Sequence, residues 1–302
     1  MSTQGFGARR TCRETGTRDG RLPGNTDACC LYLGVKGPLV LNQLTAHARR
    51  LWVYRDMVYN LIRKDFRVRY QGAALGFAWS LGNPLALIIL YDVIFTHVFR
   101  SNIKDYVLYI FIGVVSYNLF SQAVLQGCES LTGASSFLQK IYFPRILVPT
   151  ANVLFSLVLS IAAFLVLFAV FPLIGGVYHW DMLLYPFALA LFIIFSWGIA
   201  LVFSVLHVEF RDLKHLIEIL LMFLFWVTPI TFDVSMIHSH IFRDIIALNP
   251  LTYFFTAFHD LLYSGRIPSP STWGLMAVFA TMTATVGMSL FRAKAAQLIE
   301  LL

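Results

Sequence analysis

The residues best equipped for chemistry in this 302-residue chain do not assemble into a catalytic pattern. An acid and a base meet most closely at His259-Asp260, the kind of pair that a transferase acting on lipid carriers would need. Adjacent residues on a helix point about 100° apart, which argues against a shared site. No G-x-x-x-x-G-K-[ST] loop is present to cradle phosphate, and no H-E-x-x-H to hold zinc. The eight histidines are scattered, and Ser116, Ser121 and Ser156 lie in apolar runs where a hydroxyl ordinarily serves helix packing. Asp92, Glu129 and Glu218 also fall within apolar stretches, where carboxylates can carry proton or ion coupling. All three sit near the ends of those stretches with no cation deep in the same run, which favours snorkelling or subunit pairing. Cys12, Cys29, Cys30 and Cys128 lack metal-ligand spacing and are expected to be reduced. No cofactor or metal is expected on the chain itself, so any work it does must draw on a partner or a gradient.

The elements that position these residues are membrane helices. Hydrophobic residues make up 58% of the chain and charged ones 13%, with a mean hydropathy of +0.71, which excludes an ordinary soluble domain. The net charge of +7 raises the question of nucleic acid, and the placement of the cations answers it. Of 23 Lys and Arg, all but Arg100, Lys104, Arg243 and Arg266 fall in segments assigned to the cytoplasm. Such an asymmetry reports topology and contact with anionic lipid, not DNA.

The expected fold is an all-α polytopic membrane protein. Residues 1–45 read as a disordered basic tail without the apolar core of a cleavable signal peptide. Residues 46–71 read as an amphipathic interface helix, with Leu51, Tyr54, Val58, Leu61, Ile62 and Phe66 on one side and Asn60, Arg63, Lys64 and Arg67 on the other. Residues 72–302 then carry six spans, near 73–99, 106–131, 146–171, 182–206, 216–230 and 273–291. Between the last two, segment 241–265 is too short on either side of Asn249-Pro250 to cross, and reads as two helices dipping from the outer side. An even number of spans returns Arg292 and Lys294 to the cytoplasm, so both termini are expected there.

Five ordered stretches carry a family resemblance. They are R-V-R-Y-Q-G-A-A-L-G-F-A-W-S-L-G-N-P-L before the first span, F-L-Q-K-I-Y-F-P-R-I-L-V-P after the second, F-R-D-L-K-H before the fifth, W-V-T-P-I at its outer end, and N-P-L-T-Y beyond. Together, over about residues 45–300, they resemble the permease subunits of type-2 ABC exporters, in the branch that exports O-antigens, capsules and related lipid-linked polysaccharides. The resemblance implies a homodimer of permeases bound to two copies of a separate cytoplasmic ATPase, which holds the ATP and Mg. The substrate it implies is an undecaprenyl-linked glycan moved outward across the bacterial inner membrane. An exporter of drugs or small lipids with the same architecture, and a membrane transferase, are the alternatives.

The resemblance also implies site residues. The inner loop 132–145 stands where the family has its coupling helix, with Phe137, Tyr142 and Phe143 beside Lys140 and Arg145 and closed by Pro144. Arg211 and Asp212 match the family's R-D and, with Glu218, are expected to form a cytoplasmic gate that pairs with the surface helix or the coupling loop. Trp79, Tyr91, Phe95 and Phe99 on the first span and Phe223 and Trp226 on the fifth are expected to line the channel, although aromatics so spaced also serve packing. Asn249, Pro250, Tyr253 and His259 are expected at the outer mouth.

Overall fold

A computed structural model describes residues 52–72, 105–135, 143–174, 176–234 and 239–294, with isolated positions between 76 and 94. The expected tail 1–45 and nearly all of the expected first span, with Trp79, Tyr91, Phe95 and Phe99, lie outside the described residues. Helices α1 (Arg55–Tyr70), α2 (Tyr106–Gly133), α3 (Leu147–Val170), α4 (Tyr185–Glu209), α5 (Leu213–Val227), α6 (His240–Leu248), α7 (Pro250–His259) and α8 (Pro270–Lys294) follow in order, and the described residues include no strand.

Length and composition qualify four of these as membrane spans: α2, α3, the Trp180–Glu209 segment that contains α4, and α8. At 1.5 Å per residue, the 28 residues of α2 reach about 42 Å, well beyond the ~30 Å of hydrocarbon. A fifth crossing is possible in the bent pair His240–Leu248 and Pro250–Ser264, which turns by 92° at Asn249. The bend falls where the Asn-Pro pair breaks the apolar run. Pro at the first position of α7 has no N–H for the preceding turn to use, while Asn249 caps the new helix through its side chain.

Helix α5 departs from a simple span. It has 15 residues, about 22 Å, and ends at Val227 rather than running on through Pro229. The chain that follows is held by α2. The Tyr106 hydroxyl donates to the Thr231 carbonyl and the Tyr109 hydroxyl to the Phe232 carbonyl, each at 2.9 Å. Carbonyls released by the end of the helix are thus satisfied by protein, as apolar surroundings require.

The inner helix is α2, with 78% of its most apolar stretch buried against 33% for α8. Around it sits an aromatic core. Phe120 stacks on Phe195 at 5.9 Å between centroids, and Phe192 meets Phe258 edge-on at 5.2 Å. Phe254 and Phe255 of α7 are fully buried in the same cluster, so the bent pair is anchored by its second half. Helices α4 and α8 approach without side chains between them: a Cβ on Gly198 would overlap the backbone of Thr283 and Ala284, and one on Gly287 the Gly198 carbonyl. Small residues at such a crossing let two backbones pack where lipid offers no hydrophobic drive.

The apolar side of α1 rests on α3. Val58 and Leu61 are buried, Phe66 meets Phe155 edge-on at 6.1 Å, and the Arg69 guanidinium lies 5.8 Å from the centre of the same ring. Arg63, Lys64 and Arg67 are exposed, as the spacing requires.

Gly198→Leu should therefore separate α4 from α8 and lower stability by about 1–3 kcal/mol or more, read as a lower melting temperature of the detergent-extracted protein. Gly274→Leu on the same α8 is the control, since a Cβ there meets nothing within 4 Å. Equal melting of the two variants would refute the close-packed crossing.

Candidate functional site

Two clusters stand at opposite ends of the helices. At the end where α2, α4 and α8 finish and α5 begins, the Lys214 ammonium lies 2.6 Å from the Glu129 carboxylate, tying α5 to α2. Lys294 donates to Glu209, tying α8 to α4. From sequence, Glu209 and Lys214 read as flanks of a local charged turn. Each instead pairs with a partner more than 80 residues away in the chain.

Arg211 and Asp212 precede α5 and are exposed, and neither forms an ion pair among the described residues, those of α1 included. Glu218 lies 3.9 Å from Lys214 and 3.4 Å from His215, one turn earlier on its own helix. On the loop that leads into α3, Phe143 is only 5% exposed. Its ring is turned into the protein and anchors the loop. Pro144 and Arg145 are half-buried and open α3, their carbonyls accepting from Leu147 and Val148 at 3.0 and 3.1 Å. Phe137, Lys140 and Tyr142 lie outside the described residues.

At the opposite end, the residues expected at the outer mouth form a clasp. The Asn249 amide donates to Thr228 Oγ1 at 2.9 Å, linking the bend to the end of α5, while its Oδ1 accepts from the Leu251 N–H at 3.0 Å. Tyr253 donates to the Ala247 carbonyl at 2.8 Å, across the bend, and stacks on Phe279. His259 is buried and lies flat on Tyr109, 3.8 Å between ring centres, with Nε2 3.1 Å from the Tyr109 carbonyl. A carbonyl only accepts, so Nε2 carries the proton. Asn249 and His259 are therefore interior hinges of the bend, and Tyr253 is the half-exposed member. No hydrogen bond joins His259 to Asp260 among the described residues, and no group of three or more His, Cys, Asp or Glu gathers there to hold a metal.

Phe223 and Trp226 are 68% and 49% exposed on one side of α5, with Leu216 and Ile219 a turn or two before them. Beside it, between α5 and α8, opens an apolar cavity of about 320 Å³ lined by residues such as Phe120, Phe203, Leu220 and Met282. Sequence reading passed over Tyr106, Tyr109 and Tyr117, which reach from α2 to carbonyls at Thr231, Phe232 and Leu221. Their spacing of three, then eight, in a span marks one helix face, but which backbone that face clamps is settled only by the fold.

The family model described as ABC-2 type transporter matches residues 57–263. The O-antigen export system permease protein RfbA of Myxococcus xanthus is 28% identical over 256 residues, covering 83% of this chain and 97% of that protein. A Klebsiella pneumoniae protein of the same name is 28% identical over 242 residues, with 78% and 91% covered. The polysialic acid transport protein KpsM of Escherichia coli is 22% identical over 249 residues, with 80% and 95% covered.

Removing either member of the Glu129–Lys214 pair by Glu129→Gln or Lys214→Met should cost little, since both side chains are more than a third exposed. A double-mutant cycle in thermal unfolding is expected to give a small coupling that shrinks with salt. His259→Ala should cost more, about 2 kcal/mol or above, because it removes a buried ring and leaves the Tyr109 carbonyl unpaired. Equal losses from the two ends would contradict the assignment of the clasp as the firmer one.

Proposed function

The chain belongs to the ABC-2 type transporter family, and from that premise we propose that it is the permease subunit of an ATP-driven exporter moving lipid-linked polysaccharide outward across the bacterial inner membrane. The observation that carries the proposal is the match to polysaccharide-export permeases along almost their whole length, 97% in the Myxococcus relative and 95% in the Escherichia one. With 83% and 80% of this chain covered as well, the likeness is one of architecture and not of a shared fragment. The substrate class is an O-antigen, capsule or related glycan on an undecaprenyl carrier. ATP and Mg belong to a separate cytoplasmic subunit present in two copies.

In this proposal the chain crosses six times, through the first span near 73–99, α2, α3, α4, α5 and α8, with α6 and α7 entering and leaving from the outer side. Support comes from α5: although short, it continues into a segment whose carbonyls α2 satisfies, which lets non-helical backbone lie at membrane depth. The exposed apolar side of α5, with Leu216, Ile219 and Phe223, suits a second copy of the chain, and the two copies together would enclose the path. Charge asymmetry supports a cytoplasmic side for both termini, the Glu129–Lys214 and Glu209–Lys294 pairs and the 132–145 loop. Movement of the ATPase would reach the spans through that loop, whose last residues include the buried Phe143 at the foot of α3, and Lys140 and Tyr142 would be the side chains that meet the partner.

Two measurements test the proposal. Extraction from the native membrane in mild detergent, followed by mass spectrometry, should recover a stoichiometric ATPase together with a polyprenyl-linked glycan. Recovery of the chain alone, under conditions that keep other ABC complexes intact, would overturn it. Replacing Lys140 and Tyr142 with Ala should abolish export while ATP hydrolysis and membrane insertion persist; undiminished export would remove the coupling role of the loop.

A further inference from the structure

We propose that one face of α2 lines the path of the glycan, with Asn118, Gln122 and Gln126 as its hydrogen-bonding contacts. Between Leu108 and Leu131 every residue of α2 is buried except Asn118, Ser121, Gln122, Leu125, Gln126 and Glu129. Five of these six are polar. Positions 118, 122, 126 and 129 follow at four, four and three residues and so lie on one side of the helix, over about 16 Å. The accessible surface of the most buried span is thus a stripe of carboxamides that ends at the Glu129–Lys214 pair.

Lipid cannot be what meets this stripe. Elsewhere the exposed surfaces of the spans are apolar, with Val158, Ile161 and Leu165 on α3 and Val278, Met282 and Val286 on α8. Where α8 exposes hydroxyls, Thr281 and Thr285 turn them back onto carbonyls of their own helix at 2.8 Å. A carboxamide has two N–H donors and cannot hide them this way. Gln126 spends one on Gln122 Oε1 at a long 3.4 Å, and Asn152 donates to the Gln126 backbone carbonyl at 3.0 Å. Asn118 Nδ2 is buried with no partner among the described residues, and none of them accepts from the Gln122 amide. The Gln122 donors, left open on a half-accessible face, call for water or for a ligand rich in hydroxyls, and the unpaired Asn118 amide lies just beneath the same face. A sugar hydroxyl both donates and accepts, as a carboxamide does, so each contact forms and exchanges as the chain advances. Rows of such weak, interchangeable bonds suit a polymer that must slide and not lodge.

The inference rests on the glycan-export reading, and the experiment separates the two. In the full complex with its ATPase, and with native cysteines replaced, Gln122→Cys and Gln126→Cys should react with a charged, membrane-impermeant thiol reagent at least about tenfold faster than Val278→Cys on the exposed apolar side of α8, since only a wet thiol ionises. Adding lipid-linked glycan should slow that reaction. The double variant Gln122→Leu/Gln126→Leu should export about tenfold less, while Gln122→Asn/Gln126→Asn, which keeps the donors, largely retains export. Reaction no faster than at Val278, or full export by the Leu variant, would overturn the inference. A Leu variant that fails to assemble leaves the labelling to decide. If the unmodified complex exports no glycan, the function proposed above falls, and the labelling still tells whether this face is wet.

Discussion

Within hydrocarbon no water is available to a backbone N–H or C=O, so every interruption of a helix must be answered by another part of the protein. Two interruptions occur close together here, at the end of α5 and at the bend between α6 and α7, and one set of side chains answers both. Tyr106 and Tyr109 take the carbonyls beyond α5, and Asn249 links the bend to Thr228 while capping α7. His259 lies against Tyr109 and bonds its carbonyl. Remove this clasp and neither break can remain at membrane depth. The aromatic core beneath it, with Phe254, Phe255 and Phe258, keeps the second half of the bent pair in register with α2.

The two ends of the molecule differ in kind. The clasp is buried, aromatic and hydrogen-bonded, and it joins α2, α5 and α7 in a way that resists rearrangement. The opposite end is joined by partly exposed ion pairs, which are individually weak and replaceable. Such an arrangement suits a permease driven from one side: helices can part and close at the charged end while the far end remains a fixed reference. Between the two, α5 presents an exposed apolar face on one flank and borders a cavity on another.

Much of this was legible from the residues. Apolar runs bounded by Gly, Pro and charge locate α2, α3, α4 and α8 to within a few positions, because burial in lipid enforces one long period on each. Asn249-Pro250 marks its bend, since proline removes the donor that a continuous helix would need. Side-chain roles were less legible. His259 and Asn249 look like polar groups at an opening, yet they face inward, because the tertiary fold supplies carbonyls and a hydroxyl that no local pattern announces. Phe143 looks like a surface aromatic beside cations and is buried. Glu129 and Lys214 look local and are joined across the bundle. The carboxamides of α2 were visible as letters at spacings of four, but their meaning depends on knowing that every other side of that helix is covered.

The brevity of α5 bears on the bilayer itself. Its 15 residues offer a hydrophobic column of about 22 Å, while its neighbours are built for the full ~30 Å. In the proposed six-span topology, lipids at the edges of this flank, beside the second copy, would shorten by tilting or disordering their tails, and headgroups with their water would be drawn inward there. A locally thin, hydrated patch lowers the barrier that a polar cargo meets when it passes from the membrane surface into the protein. The mismatch makes the surrounding lipid part of the entrance, shaped by a helix that stops two turns early.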